Sequence, residues 1–494
     1  MHIAFLNPQG NFDPNDSYWT EHPDFGGQLV YVKEIAIAMA ALGHQVDIIT
    51  RKIVDTQWPE FAGTLDSYPG VKGVRIVRIA CGPEFFLPKE ELWPLLGSQW
   101  VPNLIEFYQQ EGTLPDAVTT HYGDGGLAGA FFAQETGIPY TFTGHSLGAQ
   151  KMDKLHAAPD NLETLDRRYH FARRIFAERI SMNYASRVIT STQQERMEQY
   201  GHKAYHGAID PADETRFAVT PPGVNRVVFS PESNETDELI NARLAEVLQR
   251  DIEPARHTLP IVLASSRLDA KKNHIGLVRA FAESEELQAK ANLAIAMRGL
   301  DDPLRRYASL SKEERALMDE IVAIIKKHAL WGKVTSFPLN SQAELAAAYR
   351  VLAGRRSVFA LTALYEPFGL APLEAMSCGL PAVVTKSGGP SESMIEGGRK
   401  FGVLVDPSDP ADIARGLLRA VESPESWEKL HQAGIERVIS KYTWERTAEG
   451  YLKVIKAIVE EGRRAGEIEI PPYFRDPAPV KYEIPVDALA SIYF

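Results

Sequence analysis

Residues 357–385 read SVFALTALYEPFGLAPLEAMSCGLPAVVT. Two short apolar runs, SVFALT (357–362) and AVVT (382–385), flank a turn at Phe368-Gly369-Leu370 and a segment without β-branched residues suited to helix. Strand, turn, helix and strand within about 30 residues is the signature of a βαβ unit. The same alternation extends outward. Strands are expected at LPIVLASS (259–266), NLAIAMRG (292–299) and KVTSFP (333–338), with helical stretches between them. In the first half, HIAFL (2–6) stops at Asn-Pro-Gln-Gly, and GQLVYVKEIAIAMAALG follows with Val32, Ile35, Met39 and Leu42 at helical spacing before Gly43. VDIIT (46–50), VRIVRIA (74–80), AVTT (117–120), YTFTG (140–144) and RVITS (187–191) complete the set. The pattern predicts an α/β protein of two doubly wound, Rossmann-like domains facing across a cleft, with ligands in loops that follow strands. TPPGVNR (220–226) interrupts the apolar pattern and sets the expected boundary: residues 1–222, residues 223–456, and a tail, 457–494, returning to the first domain.

Composition agrees and excludes other classes. The chain has 494 residues, 44% of them hydrophobic and 24% charged, and a net charge of −12. Single cores stop growing at about 250–300 residues, so two domains are expected. The acidity argues against a broad nucleic-acid or membrane surface. Two cysteines, Cys81 and Cys378, cannot build a secreted disulfide framework. No leader-like segment begins the chain and no apolar run approaches the ~18 residues of a membrane span, so a cytoplasmic protein is expected.

Three stretches carry chemistry. FGGQ (25–28) opens the first long helix, where paired glycines and a helix N-terminus suit a close-lying anion, although neither the G-x-G-x-x-G nor the G-x-x-x-x-G-K-[ST] spacing is present. SSRLDAKKN (265–273) follows an apolar strand, and its Arg267 and Lys272 form a basic fork fit for a diphosphate. In YEPFGLAPLEAMSCGLP (365–381), Glu366 and Glu374 bracket a glycine turn: two acceptors for sugar hydroxyls around backbone donors for phosphate. SGGPSE (387–392) adds a further glycine-rich helix start. Glycosidase carboxylates straddle the bond they cleave, whereas these flank a phosphate-type loop, so a hydrolase is disfavoured. No D-x-D motif occurs.

Taken together, FGGQ, the R-x4-K of SSRLDAKK and the E-x7-E from Glu366 to Glu374 resemble retaining nucleotide-sugar glycosyltransferases of the GT-B fold. NPQGNFDPNDSYWTEHPDFGGQLVYVKE, FLPKEELWP, THYGDGGLAG, TFTGHSLGAQK and LYEPFGLAPLEAMSCGLPAVVT are similar to the sucrose-phosphate synthase family within that fold, and the resemblance runs to about Lys456. It implies transfer of glucose from UDP-glucose to the 2-hydroxyl of fructose 6-phosphate, with retention, no required metal or cofactor, and a separate sucrose-phosphate phosphatase as a functional partner. It implies that Arg267 and Lys272 clamp the donor diphosphate, that Glu374 accepts from the ribose, and that Glu366 with Phe368, Gly369 and Leu370 holds the glucose. Gly27 would also contact the donor, and the base would lie against PLNSQ (338–342) at Leu339 and Asn340. His145 would touch the transferred sugar. The acceptor would be held by Gly26, Gln28, Tyr122 and Ser146, and its phosphate by Lys89, Lys151, Arg173 and Arg174.

The basic residues of the first half admit a second reading as salt-bridged helix surface, with Glu163/Arg167 and Arg174/Glu178 at i,i+4 spacing; Arg167, Arg168 and Arg179 are read that way. Alternatives for the whole chain are a mannosylfructose-phosphate synthase using GDP-mannose, a sucrose synthase acting on free fructose, and a non-catalytic nucleotide-sugar sensor. The proline- and aromatic-rich tail PPYFRDPAPVKYEIPVDALASIYF is expected to pack on the first domain.

Overall fold

A computed structural model describes residues 1–18, 27–476 and 483–494. The chain divides into two units: Met1–Pro222 with Trp444–Phe494, and Gly223–Thr443.

The first unit is built on an eight-stranded sheet: β1 (His2–Leu6), β2 (Gln45–Arg51), β3 (Leu65–Asp66), β4 (Val74–Ile79), β5 (Ala117–His121), β6 (Tyr140–Thr143), β7 (Arg187–Thr190) and β8 (Phe217–Val219), in the order β3-β4-β2-β1-β5-β6-β7-β8. All neighbours run parallel except β3, which is antiparallel to β4. Ile3, Phe5, Val118 and Phe142 are wholly buried, which is why these strands read as nearly continuous apolar runs and not as alternating ones. The two edge strands, β3 and β8, are only two and three residues long and escape a periodicity reading.

The second unit carries six parallel strands: β9 (Ile261–Ser265), β10 (Asn292–Met297), β11 (Val334–Pro338), β12 (Val358–Leu361), β13 (Ala382–Thr385) and, after a hairpin of β14 (Ile395–Glu396) and β15 (Arg399–Lys400), β16 (Val403–Val405), in the order β11-β10-β9-β12-β13-β16. Each sheet therefore reverses its winding once, at β1/β5 and at β9/β12. Loops after those strands are the places where open α/β sheets hold ligands.

The expected second boundary at 456/457 is corrected. The helix Trp444–Glu461 belongs wholly to the first unit. Trp444, Ala448, Tyr451, Leu452 and Ile455 share a core with Leu29, Val32, Ile35 and Met39 of the helix Gly27–Ala41. Tyr451 also joins its hydroxyl to Tyr31 (2.9 Å) and Thr143 (2.7 Å). The tail continues on the same unit, where Tyr473, Phe474, Leu489 and Tyr493 are buried. Both cysteines are buried and unbridged.

Ile455→Ala should cost about 2–5 kcal/mol by the lost transfer term and the cavity left behind. Urea denaturation checks this, and an unchanged midpoint would mean that the helix contributes nothing to that core.

Candidate active site

In the second unit, the switch point brings the basic fork to the acidic turn. Because β9 pairs with β12, the loop after β9 lies beside the loop after β12, and Lys272 Nζ sits 2.7 Å from Glu366 Oε2. The two loops are tied by backbone and side chain. Leu364 N–H donates to the Lys271 carbonyl (2.8 Å), and Asn273 Nδ2 donates to the carbonyls of Thr362 (3.0 Å) and Pro407 (2.8 Å). Asn273 is left-handed, φ 56°, and its Oδ1 also caps the helix His274–Glu283 at Gly276 N–H. Arg267 is exposed, and among the described residues its guanidinium has no hydrogen-bonded or ionic partner.

The turn at residues 366–369 is held from beneath by SGGP. Glu366 N–H donates to the Ser387 carbonyl, and Gly389 N–H donates to the Glu366 carbonyl, each at 3.0 Å. A Cβ on Gly388 (φ 103°) would stand 2.0 Å from the Glu366 carbonyl oxygen, so only glycine allows this approach. Gly369 is left-handed as well and opens the helix Leu370–Ser377. Glu374 lies in that helix, and burial pushes its carboxyl up to about 7. Its carboxylate has no hydrogen-bond partner among the described residues, so a site that supplies hydroxyl donors would stabilise the ionised form. Leu339 N–H donates to the Met297 carbonyl (3.0 Å), while Asn340 Oδ1 accepts from Gly299 N–H (2.9 Å), which fixes PLNSQ at the end of β11 beside the end of β10. Beneath the fork, His274 is buried and held down to about 4, first by burial and then by Lys272.

In the first unit, the loops after β5 and β6 form the second cluster. His145 follows β6 at φ 56° and its Nε2 is 2.8 Å from His121 Nδ1. Tyr31 meets the His145 ring edge-on at 4.9 Å and Tyr122 stacks on it at 5.7 Å. Burial lowers His121 far below the usual histidine range and His145 to about 4. Both rings are therefore neutral at pH 7, one donating and the other accepting in their shared bond.

The loop that carries His145 is pinned by a buried charge network. Glu178 accepts from Gly148 N–H (2.9 and 3.0 Å), from Arg174 Nε (2.9 Å) and from the Tyr205 hydroxyl (2.5 Å), while Arg174 donates to the Ser146 carbonyl (2.8 Å). Arg174, expected to bind an acceptor phosphate, thus spends its guanidinium on the protein. Arg173 makes a two-pronged pair with Glu483 (2.8 and 2.7 Å). Lys151 places its ammonium 4.3 Å from the Tyr169 ring centroid, and its pKa is lowered by burial, then by Arg174 and Lys89. Lys151 thus feels three other cations, Arg174, Lys89 and Arg168, together with the carboxylate of Glu90. Arg167 pairs with Glu163 (2.9 Å), and Arg179 donates to the carbonyls of Ala204 and His206 (2.5 and 2.9 Å).

Among the described residues no atom lies within 4 Å of where a Cβ on Gly27 would point, and Gln28 is half-buried. Gly26 lies outside the described residues. His121, Asn273 and His274 were not singled out by sequence reasoning. His121 stood inside THYGDGG and Asn273 directly after the two lysines, but nothing local says that the first meets His145 or that the second spans two loops. Among the described residues no group of three or more His, Cys, Asp or Glu side chains could hold a metal ion, and no helix is long and apolar enough to cross a membrane.

Comparison with known proteins places this geometry. Residues 247–437 match the family of glycosyl transferases group 1, and residues 26–203 match the glycosyl transferase 4-like domain. The chain is a glycosyltransferase of the GT-B fold. It is 46% identical to a probable sucrose-phosphate synthase of Thermosipho melanesiensis, over 92% of this chain and 96% of that one. It is 32% identical to the sucrose-phosphate synthase of Spinacia oleracea, over 92% of this chain but only 47% of the longer plant protein. Among solved structures it is similar to a sucrose-phosphate synthase from Thermosynechococcus elongatus (TM-score 0.60, 24% identity, 93% of this chain and 100% of that one). It is also similar to Anabaena Alr3699/HepE in complex with UDP (TM-score 0.57, 15% identity, 92% and 100%). Both structural likenesses speak to the fold alone. The chain belongs to the sucrose-phosphate synthase family.

The neutral histidine pair has a direct signature. With its pKa held near 4 against an ordinary value of about 6.5, the His145 ring should show no protonation step between about pH 5.5 and 8 in an NMR titration. Its linkage sign follows: the unfolded chain binds the extra proton first, so stability is lost as pH falls from about 6.5 toward 4. A ring resonance titrating near 6.5, assigned by its loss in His145→Asn, would contradict the buried pair.

Proposed function

We propose that this protein transfers glucose from UDP-glucose to the 2-hydroxyl of fructose 6-phosphate, with retention at the anomeric carbon, giving sucrose 6-phosphate and UDP. The observation that carries the reading is the meeting of Lys272 and Glu366 at the β9/β12 switch point, on the loop that also carries the exposed Arg267. Cations stand there for a diphosphate, a carboxylate beside them for sugar hydroxyls, and the shielded Glu374 for a ribose.

The roles divide between the units. The second holds the donor: Arg267 and Lys272 on the diphosphate, Glu366 with the 368–370 backbone on the glucose, Glu374 on the ribose, and the segment at Leu339 and Asn340 on the base. Lys272 is bonded to Glu366, so the donor would enter a preformed pair and share its lysine. The first unit holds the acceptor. Lys89 and Lys151 meet the phosphate, and a dianion would offset the burial and the neighbouring charges of Arg174 and Lys89 that depress Lys151. Gln28, Tyr122 and Ser146 belong to the same acceptor set, with Gly27 at the donor.

In the transfer step the fructose O2–C1 bond forms as the bond from C1 to the diphosphate oxygen breaks. The proton of the 2-hydroxyl passes to the departing phosphate oxygen. The growing negative charge on UDP is met by Arg267 and Lys272, in place of a metal ion, and positioning supplies the rest. His145, neutral by burial, acts as a hydrogen-bonding partner of the transferred sugar and not as a proton source. Sucrose 6-phosphate then requires a separate phosphomonoesterase for conversion to sucrose.

Supplying UDP-glucose or GDP-mannose with fructose 6-phosphate or free fructose, and identifying the disaccharide by mass and NMR, tests the substrates. Sucrose 6-phosphate from the first donor and acceptor is expected, and a mannosyl product or equal use of free fructose would contradict it. Lys272→Ala should lower kcat by about 100-fold or more with a smaller change in the donor KM, because leaving-group charge peaks in the transition state; a pure KM effect would remove that role. Glu374 accepts from ribose hydroxyls more strongly when ionised, so UDP affinity should fall as pH drops through about 7. Calorimetric titration of UDP should show Glu374→Gln flattening that slope relative to wild type.

A further inference from the structure

The two acceptor lysines stand in the first turns of helices that begin without a side-chain cap. Lys89 opens a helical run that continues without a break from Lys89–Leu95 through Leu96–Trp100 into Val101–Glu111, with Pro88 as its N-cap. Lys151 sits in a helix of only seven residues, Gly148–Lys154, with Leu147 as its N-cap. An uncapped start and a helix this short depend on tertiary contacts for their placement.

The carboxy-terminal tail supplies those contacts at three points. The Tyr473 hydroxyl donates to the Glu90 carbonyl (3.1 Å), one residue from Lys89, and Phe474 packs against Trp93 of the same helix with ring centroids 6.5 Å apart. The Tyr493 hydroxyl donates to Asp153 Oδ1 (2.5 Å), two residues from Lys151. Glu483 engages Arg173, whose guanidinium lies 5.0 Å from the Tyr473 ring centroid. The tail is anchored through buried side chains: Phe474 and Leu489 are fully covered, and Tyr473 and Tyr493 are 1% and 4% exposed. Burial, and then the neighbouring charges of Arg174 and Lys89, disfavour the Lys151 ammonium.

We propose that residues 472–474 and 483–493 form a strap whose Tyr473 and Tyr493 are positioning residues for Lys89 and Lys151, so that the tail sets affinity for the acceptor phosphate. This rests on the phosphate reading given above. The strap acts on the acceptor and not on the donor, because each of its polar contacts is made with an element of the acceptor side.

Tyr473→Phe and Tyr493→Phe each remove one hydroxyl and leave the buried ring, which favours folding. The double variant should raise the fructose 6-phosphate KM and the inhibition constant of inorganic phosphate as competitor by about tenfold, each single by less. kcat and the UDP-glucose KM should stay within about twofold. A general loss of structure would move donor and acceptor constants together and lower the thermal midpoint in proportion; that result, or unchanged acceptor constants, overturns the strap. Lys89→Ala with Lys151→Ala separates the two claims. If this pair leaves the fructose 6-phosphate KM unchanged, the phosphate reading fails; if it raises that KM while the tyrosine variants do not, the strap alone fails.

Discussion

A parallel strand cannot turn directly into its neighbour. Each must leave the sheet at its carboxyl end, cross by a helix and return, and where the winding reverses two such exits lie side by side. Everything chemical in this chain depends on that constraint. At β9/β12 the exits carry Lys272 and Glu366, separated by 94 residues in sequence and 2.7 Å in space. In the first unit β5 and β6 pair, and their exits carry His121 and His145. The reacting groups do not have to be near in sequence because the sheet order brings them together.

What the exits hold is then set by charge and burial. A net charge of −12 is unfavourable for two anionic substrates, and the structure answers it by local concentration. Arg267 and Lys272 stand at one switch point, and Lys89 and Lys151 interact in the other unit. Burial does the complementary work on the remaining groups. It keeps His145 neutral and pushes the Glu374 carboxyl up to about 7. The same desolvation that makes each group costly when empty makes it selective when filled.

Most of the fold was legible in the sequence because strands buried on both faces read as unbroken apolar runs. SVFALT and AVVT could be placed to within a residue as β12 and β13. The edge strands β3 and β8 and the hairpin β14–β15 were not, since two or three residues carry no period. The end of the second unit was set too late, because the helix Trp444–Glu461 is amphipathic whichever sheet it covers and only its contacts show which. Of the candidate site, Lys272 and Glu366, read inside ordered motifs, meet as their loops require, and His145 meets His121 within the other unit. Arg174 does not behave as the sequence reading assigned it. Its i,i+4 spacing to Glu178 was visible, but burial of that pair, which commits the guanidinium to Ser146 and Glu178, was not. The roles of Asn273 and of the tail tyrosines are long-range by nature and left no local mark.

The central claim is that one unit binds the nucleotide diphosphate at a switch point and the other binds a sugar phosphate on a strapped basic cluster. A crystal structure with UDP and fructose 6-phosphate bound tests it most directly. The account predicts the diphosphate on Arg267 and Lys272, the ribose on Glu374, and the acceptor phosphate on Lys89 and Lys151. A sugar phosphate bound away from those two lysines, or a diphosphate that leaves Arg267 and Lys272 untouched, would contradict it.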